Sequence, residues 1–181
     1  MLLLWRNFDT IIVAVDLDDV LNNITEKMCL EFGCEFRTLD QILKGSNPEG
    51  FDDFRKVFLS RESTWELPPT QFAIDMLDYL NSHNEVKTVI LTKTVTLKGF
   101  EWIAEKKVKF RNKYFPKTDM FIVAGDKSYF KSDILIDDLE GNCKKHEKVN
   151  NSITLTYEHG KTTLADIKAV VEKAIELSKT K

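Results

Sequence analysis

Two carboxylates spaced i, i+2 follow directly on an apolar, β-branched run in Val13-Ala14-Val15-Asp16-Leu17-Asp18-Asp19-Val20-Leu21. A run of this kind reads as a buried parallel strand, and open α/β sheets bind ligands at the carboxyl ends of their strands. Paired acids repel and desolvate badly, so they persist where a cation or a shared proton compensates them. The pattern recurs: Ile134-Leu135-Ile136 runs into Asp137-Asp138, Val89-Ile90-Leu91 runs into Thr92-Lys93-Thr94, and Gly125-Asp126-Lys127-Ser128 follows a further apolar run. A single Asp after a strand is usually a turn former or helix cap. Two acidic strand ends with a hydroxyl and a lysine at corresponding places point instead to one rim where Asp16, Asp18, Thr92, Lys127, Asp137 and Asp138 hold a metal and a phosphate.

The elements that must position these residues are legible in the hydrophobic pattern. Strands are expected at 11–15, 88–91, 120–124, 134–136 and 153–156. Thr70 can cap a helix whose Phe72, Met76, Tyr79 and Leu80 share a face; Leu164, Ile167, Val170, Val171, Ala174 and Ile175 mark an amphipathic C-terminal helix, and a further helix is expected over about 96–115. This alternation predicts an α/β fold with a doubly wound, Rossmann-like parallel sheet. The roughly 65 residues between the first two strands exceed what a crossover needs. Helical signals at 25–32 and 51–59, broken at 45–50, predict a small helical cap inserted after the first strand, over residues 22–67. Residues 1–21 and 68–181 then form the catalytic core.

The 181 residues are 43% hydrophobic, enough for one core, and carry a net charge of −3. No basic field of the kind that recruits a nucleic acid polymer is present, so a small anionic substrate needs local cations. Cys29, Cys34 and Cys143 lack a CxxC pair or a histidine cluster and read as reduced structural thiols; zinc is not expected. The apolar start at 1–5 is too short for a signal peptide, and no run approaches the ~20 residues of a membrane span, so a cytoplasmic protein with no membrane partner is expected. A homodimer is left open.

The order Asp-x-Asp, Thr, Lys, Asp-Asp resembles the four motifs of the haloacid dehalogenase superfamily of phosphatases, over nearly the whole chain. More narrowly, Asp-Leu-Asp-Asp-Val-Leu, Ile-Leu-Thr, Gly-Asp-Lys-Ser and Leu-Ile-Asp-Asp are similar to the 5′(3′)-deoxyribonucleotidase family, bacterial and phage members included. Members of that family also carry a lysine ahead of a Lys-Tyr-Phe-like segment, and Lys107, preceding Phe110 and Lys113-Tyr114-Phe115, is its counterpart. The chain departs from the pattern at Lys93, where relatives often have a small polar residue, and at Ile24, where some have an aromatic.

The resemblance implies Mg²⁺ held by Asp16, the Asp18 backbone carbonyl and the Asp137/Asp138 pair, with Asp16 as nucleophile and Asp18 as general acid and base. Thr92, Lys93, Lys107 and Lys127 would bind the substrate phosphate. The implied reaction is dephosphorylation of nucleoside monophosphates, deoxyribonucleotides foremost. The competing readings are the same chemistry on another small phosphate ester, a phospho-receiver, and a non-catalytic binding module. Receivers place the acceptor Asp after the acidic pair and carry no insertion, so order argues against them.

Among the remaining polar residues, Lys106, Lys109, Lys113 and Arg111 read as a solvated helix face from which Lys107 is the exception. Phe32, Phe36, Phe51, Phe54, Phe58 and Trp65 are expected mostly to build the insertion's own core. His83, His146 and His159, in polar or turn-like surroundings, are expected at the surface.

Overall fold

The computed structural model describes residues 10–93 and 102–180. The apolar start at 1–5 and the first turns of the helix expected from 96 lie outside them. Five strands, β1 (Ile11–Val15), β2 (Val86–Thr92), β3 (Met120–Val123), β4 (Ile134–Asp137) and β5 (Ile153–Thr156), pair in the order β3-β2-β1-β4-β5. All four pairings are parallel, with Val15 opposite Ile90 on one side and Ile136 on the other. The expected α/β parallel sheet is therefore present, with the first strand at its centre.

Alternation along the strands divides two cores. Ile11, Val13, Val15, Ile90, Ile134 and Ile136 face α4 (Gln71–Asn81) and α7 (Leu164–Ser178), which contribute Met76, Leu77, Leu80, Ile167 and Val171. Ala14, Leu91 and Leu135 occupy the other face with Ile122, Ala124 and Phe130, and α6 (Glu140–Asn150) packs against β4 and β5. α4 begins at the expected Thr70 cap, whose hydroxyl accepts from the Ala73 amide at 3.1 Å, and α7 begins at a reciprocal capping box of Thr163 and Asp166.

Between β1 and β2 the chain forms α1 (Ile24–Phe32), α2 (Leu39–Leu43), α3 (Phe51–Ser60) and a 3₁₀ turn (Glu62–Glu66). These residues build a separate apolar cluster of Ile24, Met28, Ile42, Phe51, Phe58 and Trp65, with Phe32 and Phe54 packed against it and Ile103 contributed by α5 (Trp102–Tyr114). Phe36 is the exception among the six aromatics: it is exposed and tilts against the His159 ring at 5.3 Å. The excursion starts and finishes at one place, because the Thr70 amide donates to the Leu21 carbonyl at 3.0 Å.

One expectation is overturned. His146 is fully buried rather than at the surface, its Nδ1 2.7 Å from Ser152 Oγ and its Nε2 3.0 Å from the Phe130 carbonyl. The reason is α6, which the hydrophobic pattern does not announce: in Glu-Gly-Asn-Cys-Lys-Lys-His-Glu-Lys-Val-Asn only Cys143 and His146 turn fully inward. A histidine that satisfies both ring nitrogens can take a core position that an apolar residue would otherwise mark. His83 and His159 are partly exposed.

Candidate active site

Parallel pairing brings the three polar strand ends to one rim. The Asp16 amide donates to the Ile136 carbonyl at 2.9 Å, fixing the end of β1 beside that of β4. Asp16, Asp137 and Asp138 each present a carboxylate oxygen within 4.8 Å of the others. On the opposite side of β1, β2 delivers the buried Thr92. The residues expected to converge do so.

Lys127 reaches the acids from a 3₁₀ turn (Lys127–Tyr129) that follows β3. Asp126 forms that turn by accepting from the Ser128 amide at 3.0 Å and its hydroxyl at 2.7 Å. The Lys127 ammonium, buried, lies 2.6 Å from Asp16 Oδ2 and 2.6 Å from Asp137 Oδ2. Burial works against its charge, but the Asp16 and Asp137 carboxylates outweigh it and hold the group above the ordinary lysine range. Asp16 also accepts from the Leu17 amide through Oδ1 at 2.7 Å. Asp137 Oδ1 accepts from the Leu139 amide at 3.0 Å and Asn142 Nδ2 at 2.9 Å.

A second lysine organises the other half. Lys107, only 2% exposed on α5, forms an ion pair with Asp18 Oδ2 and donates to Thr92 Oγ1 at 2.9 Å and to the Lys93 carbonyl at 2.5 Å. Its ammonium also lies 5.4 Å from the centre of the Trp65 ring, which the insertion supplies. The neighbouring lysines behave differently: Lys106 pairs with Glu62 and Glu66, and Lys109 with Glu105. Lys93 contributes its carbonyl while its side chain is exposed at the rim. Asp18 Oδ1 is enclosed without a hydrogen-bond partner among the described residues.

The electrostatics call for more positive charge than the two buried lysines provide. Burial pushes the Asp16 carboxyl up, against the pull of Lys127. Burial, reinforced by Asp16, Asp19 and Asp137, pushes Asp138 up to about 10. Asp19 is pushed up to about 7 by burial, with Asp18 and Asp16 adding to the effect and hydrogen bonds from Thr25 opposing it. Among the described residues, five acids thus share the rim with two buried ammonium groups. An excess of negative charge on an all-oxygen donor set fits a hard divalent cation.

Two contributors are not apparent from the motifs alone. Asp19 adopts φ 61°, a backbone region rare outside glycine, asparagine and aspartate, and accepts from both the amide (2.7 Å) and the hydroxyl of Thr25. It thereby anchors the first turn of α1 to the loop that carries Asp16 and Asp18. The signal is an Asp followed six residues later by the Thr of a helix start. Asn142 orients Asp137 from α6, and its only sequence mark is its place one turn into a helix that is itself hard to see.

The family model described as "5' nucleotidase, deoxy (Pyrimidine), cytosolic type C protein" matches residues 10–172. The chain belongs to this family. It is a phosphatase of the nucleotidase kind, as the resemblance of its motifs implies. Among solved structures, a hydrolase from Streptococcus pneumoniae TIGR4 superposes with a TM-score of 0.53 at 13% identity, covering 91% of this chain and 99% of its own. A haloacid dehalogenase superfamily hydrolase, subfamily IA, variant 1, from Geobacter sulfurreducens PCA has a TM-score of 0.49 at 10% identity, covering 94% of this chain and 99% of its own. None of the curated proteins compared with the chain matches it. No helix among the described residues is long and apolar enough to cross a membrane.

Proposed function

We propose that this nucleotidase hydrolyses nucleoside monophosphates, deoxyribonucleotides foremost, with Mg²⁺ at the acidic rim and Asp16 as nucleophile. The observation that carries the reading is the Asp16 carboxylate itself. One oxygen is held by the Leu17 amide and the other by Lys127, where the acids of β4 meet the end of β1. An orientation fixed at both oxygens is what in-line attack on phosphorus requires.

Asp16 and the Asp137/Asp138 pair would hold the ion together with the Asp18 backbone carbonyl. When bound, Mg²⁺ neutralises phosphate oxygens and lowers the cost of bringing a carboxylate to a phosphate. Attack by Asp16 forms a bond to phosphorus and breaks the bond to the nucleoside oxygen, leaving an aspartyl phosphate. Asp18 gives a proton to the departing oxygen and later takes one from the water that hydrolyses the intermediate. Its enclosed Oδ1 is the atom that would carry that proton. Lys107 orients Asp18 and Thr92 together, so that the acid and a phosphate-binding hydroxyl share one cation. Lys127 and the Thr92 hydroxyl, with Lys93 from the rim, meet the remaining phosphate charge.

Residues 22–67 act as the cap in this reading, and 1–21 with 68–181 as the catalytic core. The apolar cluster built mainly by the insertion supports that division, and Trp65 joins the insertion to Lys107 of the core. Phosphate release from dUMP, dTMP, the matching ribonucleotides and a sugar phosphate, with Asp16→Asn as control, tests substrate and nucleophile together. Deoxynucleotides should turn over fastest and the variant should be inactive. A faster sugar phosphate rejects the substrate, and undiminished turnover by Asp16→Asn rejects the nucleophile.

A further inference from the structure

Away from the acidic rim, α1 ends in a Schellman turn. Gly33 takes φ 81°, the Cys34 amide donates to the Cys29 carbonyl at 3.1 Å, and the Gly33 amide to the Leu30 carbonyl at 3.2 Å. That pair of bonds folds the residue after the glycine back onto the residue five earlier, where the two side chains ordinarily make an apolar contact. Here both residues are cysteines. Cys29 is 1% exposed and Cys34 half-buried, and both line a cavity of about 650 Å³ together with Leu30, Phe36 and Pro68. Burial, with the adjacent Cys34 thiol adding to it, pushes the Cys29 thiol up. Cys34 is therefore the thiol that meets reagents from solvent, and Cys29 the one waiting behind it.

We propose that Cys29 and Cys34 form a redox modification site, converted reversibly by hydrogen peroxide into an intrachain disulfide. The bond from the Cys34 amide to the Cys29 carbonyl and the mutual influence of the two thiols hold the pair close together, as a disulfide, with Cα atoms roughly 4.4–6.8 Å apart, requires. Cys34 sulfur attacks the peroxide: a sulfur–oxygen bond forms, the oxygen–oxygen bond breaks, and the released hydroxide leaves as water with the Cys34 proton. Cys29 sulfur then displaces hydroxide from the Cys34 sulfenic acid, and that hydroxide leaves as water with the Cys29 proton. Two thiols lose two electrons and the peroxide takes them up. Cys143 stays outside this chemistry, buried beneath β4, with its thiol pushed up to about 11 by burial.

The test uses the native chain, treated with hydrogen peroxide, then unfolded in guanidinium chloride, alkylated with iodoacetamide and digested with trypsin without reductant. Cleavage after Lys27 and Arg37 releases residues 28–37 as one peptide bearing both cysteines. That peptide should carry no alkyl group and be two hydrogens lighter than the free dithiol. Cys143 should remain alkylatable, and dithiothreitol should restore both thiols. In Cys34→Ser, peroxide should leave Cys29 reduced. The proposal is overturned if both cysteines of the treated native chain are still alkylated, if Cys34 stops at a sulfinic acid, or if the bridge joins Cys143 or a second chain. Oxidation of Cys29 that proceeds unchanged in Cys34→Ser overturns the order of attack.

Discussion

Lys127 Nζ lies 2.6 Å from Asp16 Oδ2 and 2.6 Å from Asp137 Oδ2, so one buried ammonium ties together the ends of two adjacent strands. Two carboxylates at that spacing would repel without it, and Asp137 is fully buried.

Lys127→Met should therefore weaken the fold as well as the reaction. Removing one partner of a buried charge cluster costs about 3–5 kcal/mol. Urea unfolding in Mg²⁺-free buffer should show a loss of that size, alongside loss of turnover. An unchanged unfolding midpoint would mean that the lysine does not compensate the acids in solution.

Asp18→Asn separates acid catalysis from attack. The variant should lose roughly 10²–10⁴ in kcat on a nucleoside monophosphate, where the alkoxide needs a proton. On an aryl phosphate with a good leaving group the loss in the first step should be far smaller, readable as a burst of phenol. Equal losses on both substrates would remove Asp18 from the acid role.

Chelation should abolish turnover and Mg²⁺ should restore it, with a readout independent of activity. An ion at about a hundred times its dissociation constant adds about 2.7 kcal/mol to the folded state. The melting temperature of the native chain should rise with Mg²⁺, and the rise should shrink in Asp138→Asn. The same rise in both would place the ion elsewhere.

His146 gives the fold a pH dependence of its own. The Phe130 carbonyl can only accept, so Nε2 carries the proton and Nδ1 accepts from Ser152. Burial lowers the folded pKa below the ordinary 6.5. Between the depressed value and 6.5 the unfolded chain binds more protons, so the contribution is complete above that window and is lost as pH falls through it. Thermal melts from about pH 7.5 to about 5.5 should show a decline that is smaller in His146→Gln. An identical slope in the variant would assign the decline to other groups.

The chemistry of the rim was more legible than the packing that supports it. Asp16, Thr92 and Asp137 each stand where a β-branched run stops, and parallel pairing turns that linear mark into a spatial one. Lys107 could be singled out only through a family resemblance, because on its own helix it looks like Lys106 or Lys109; what distinguishes it is burial against Trp65 and Asp18. Helix α6 and its buried His146 escaped because a hydrogen-bonded imidazole fills core space without leaving a hydrophobic mark. Asp19 carries no mark of its own in the motif, and its carboxylate is committed to Thr25.

The hydrogen bond between Thr70 and Leu21 makes departure and return of the chain a single junction beside the sheet. Closing a loop costs only about 0.6 kcal/mol more for each doubling of its length. Much of the chain strung between those two residues, outside Thr25 and Trp65, can consequently lengthen, shrink or be rewritten while β1 and β2 keep their alignment. Mutation can thus explore new surfaces near the acidic rim without disturbing the strands that carry it.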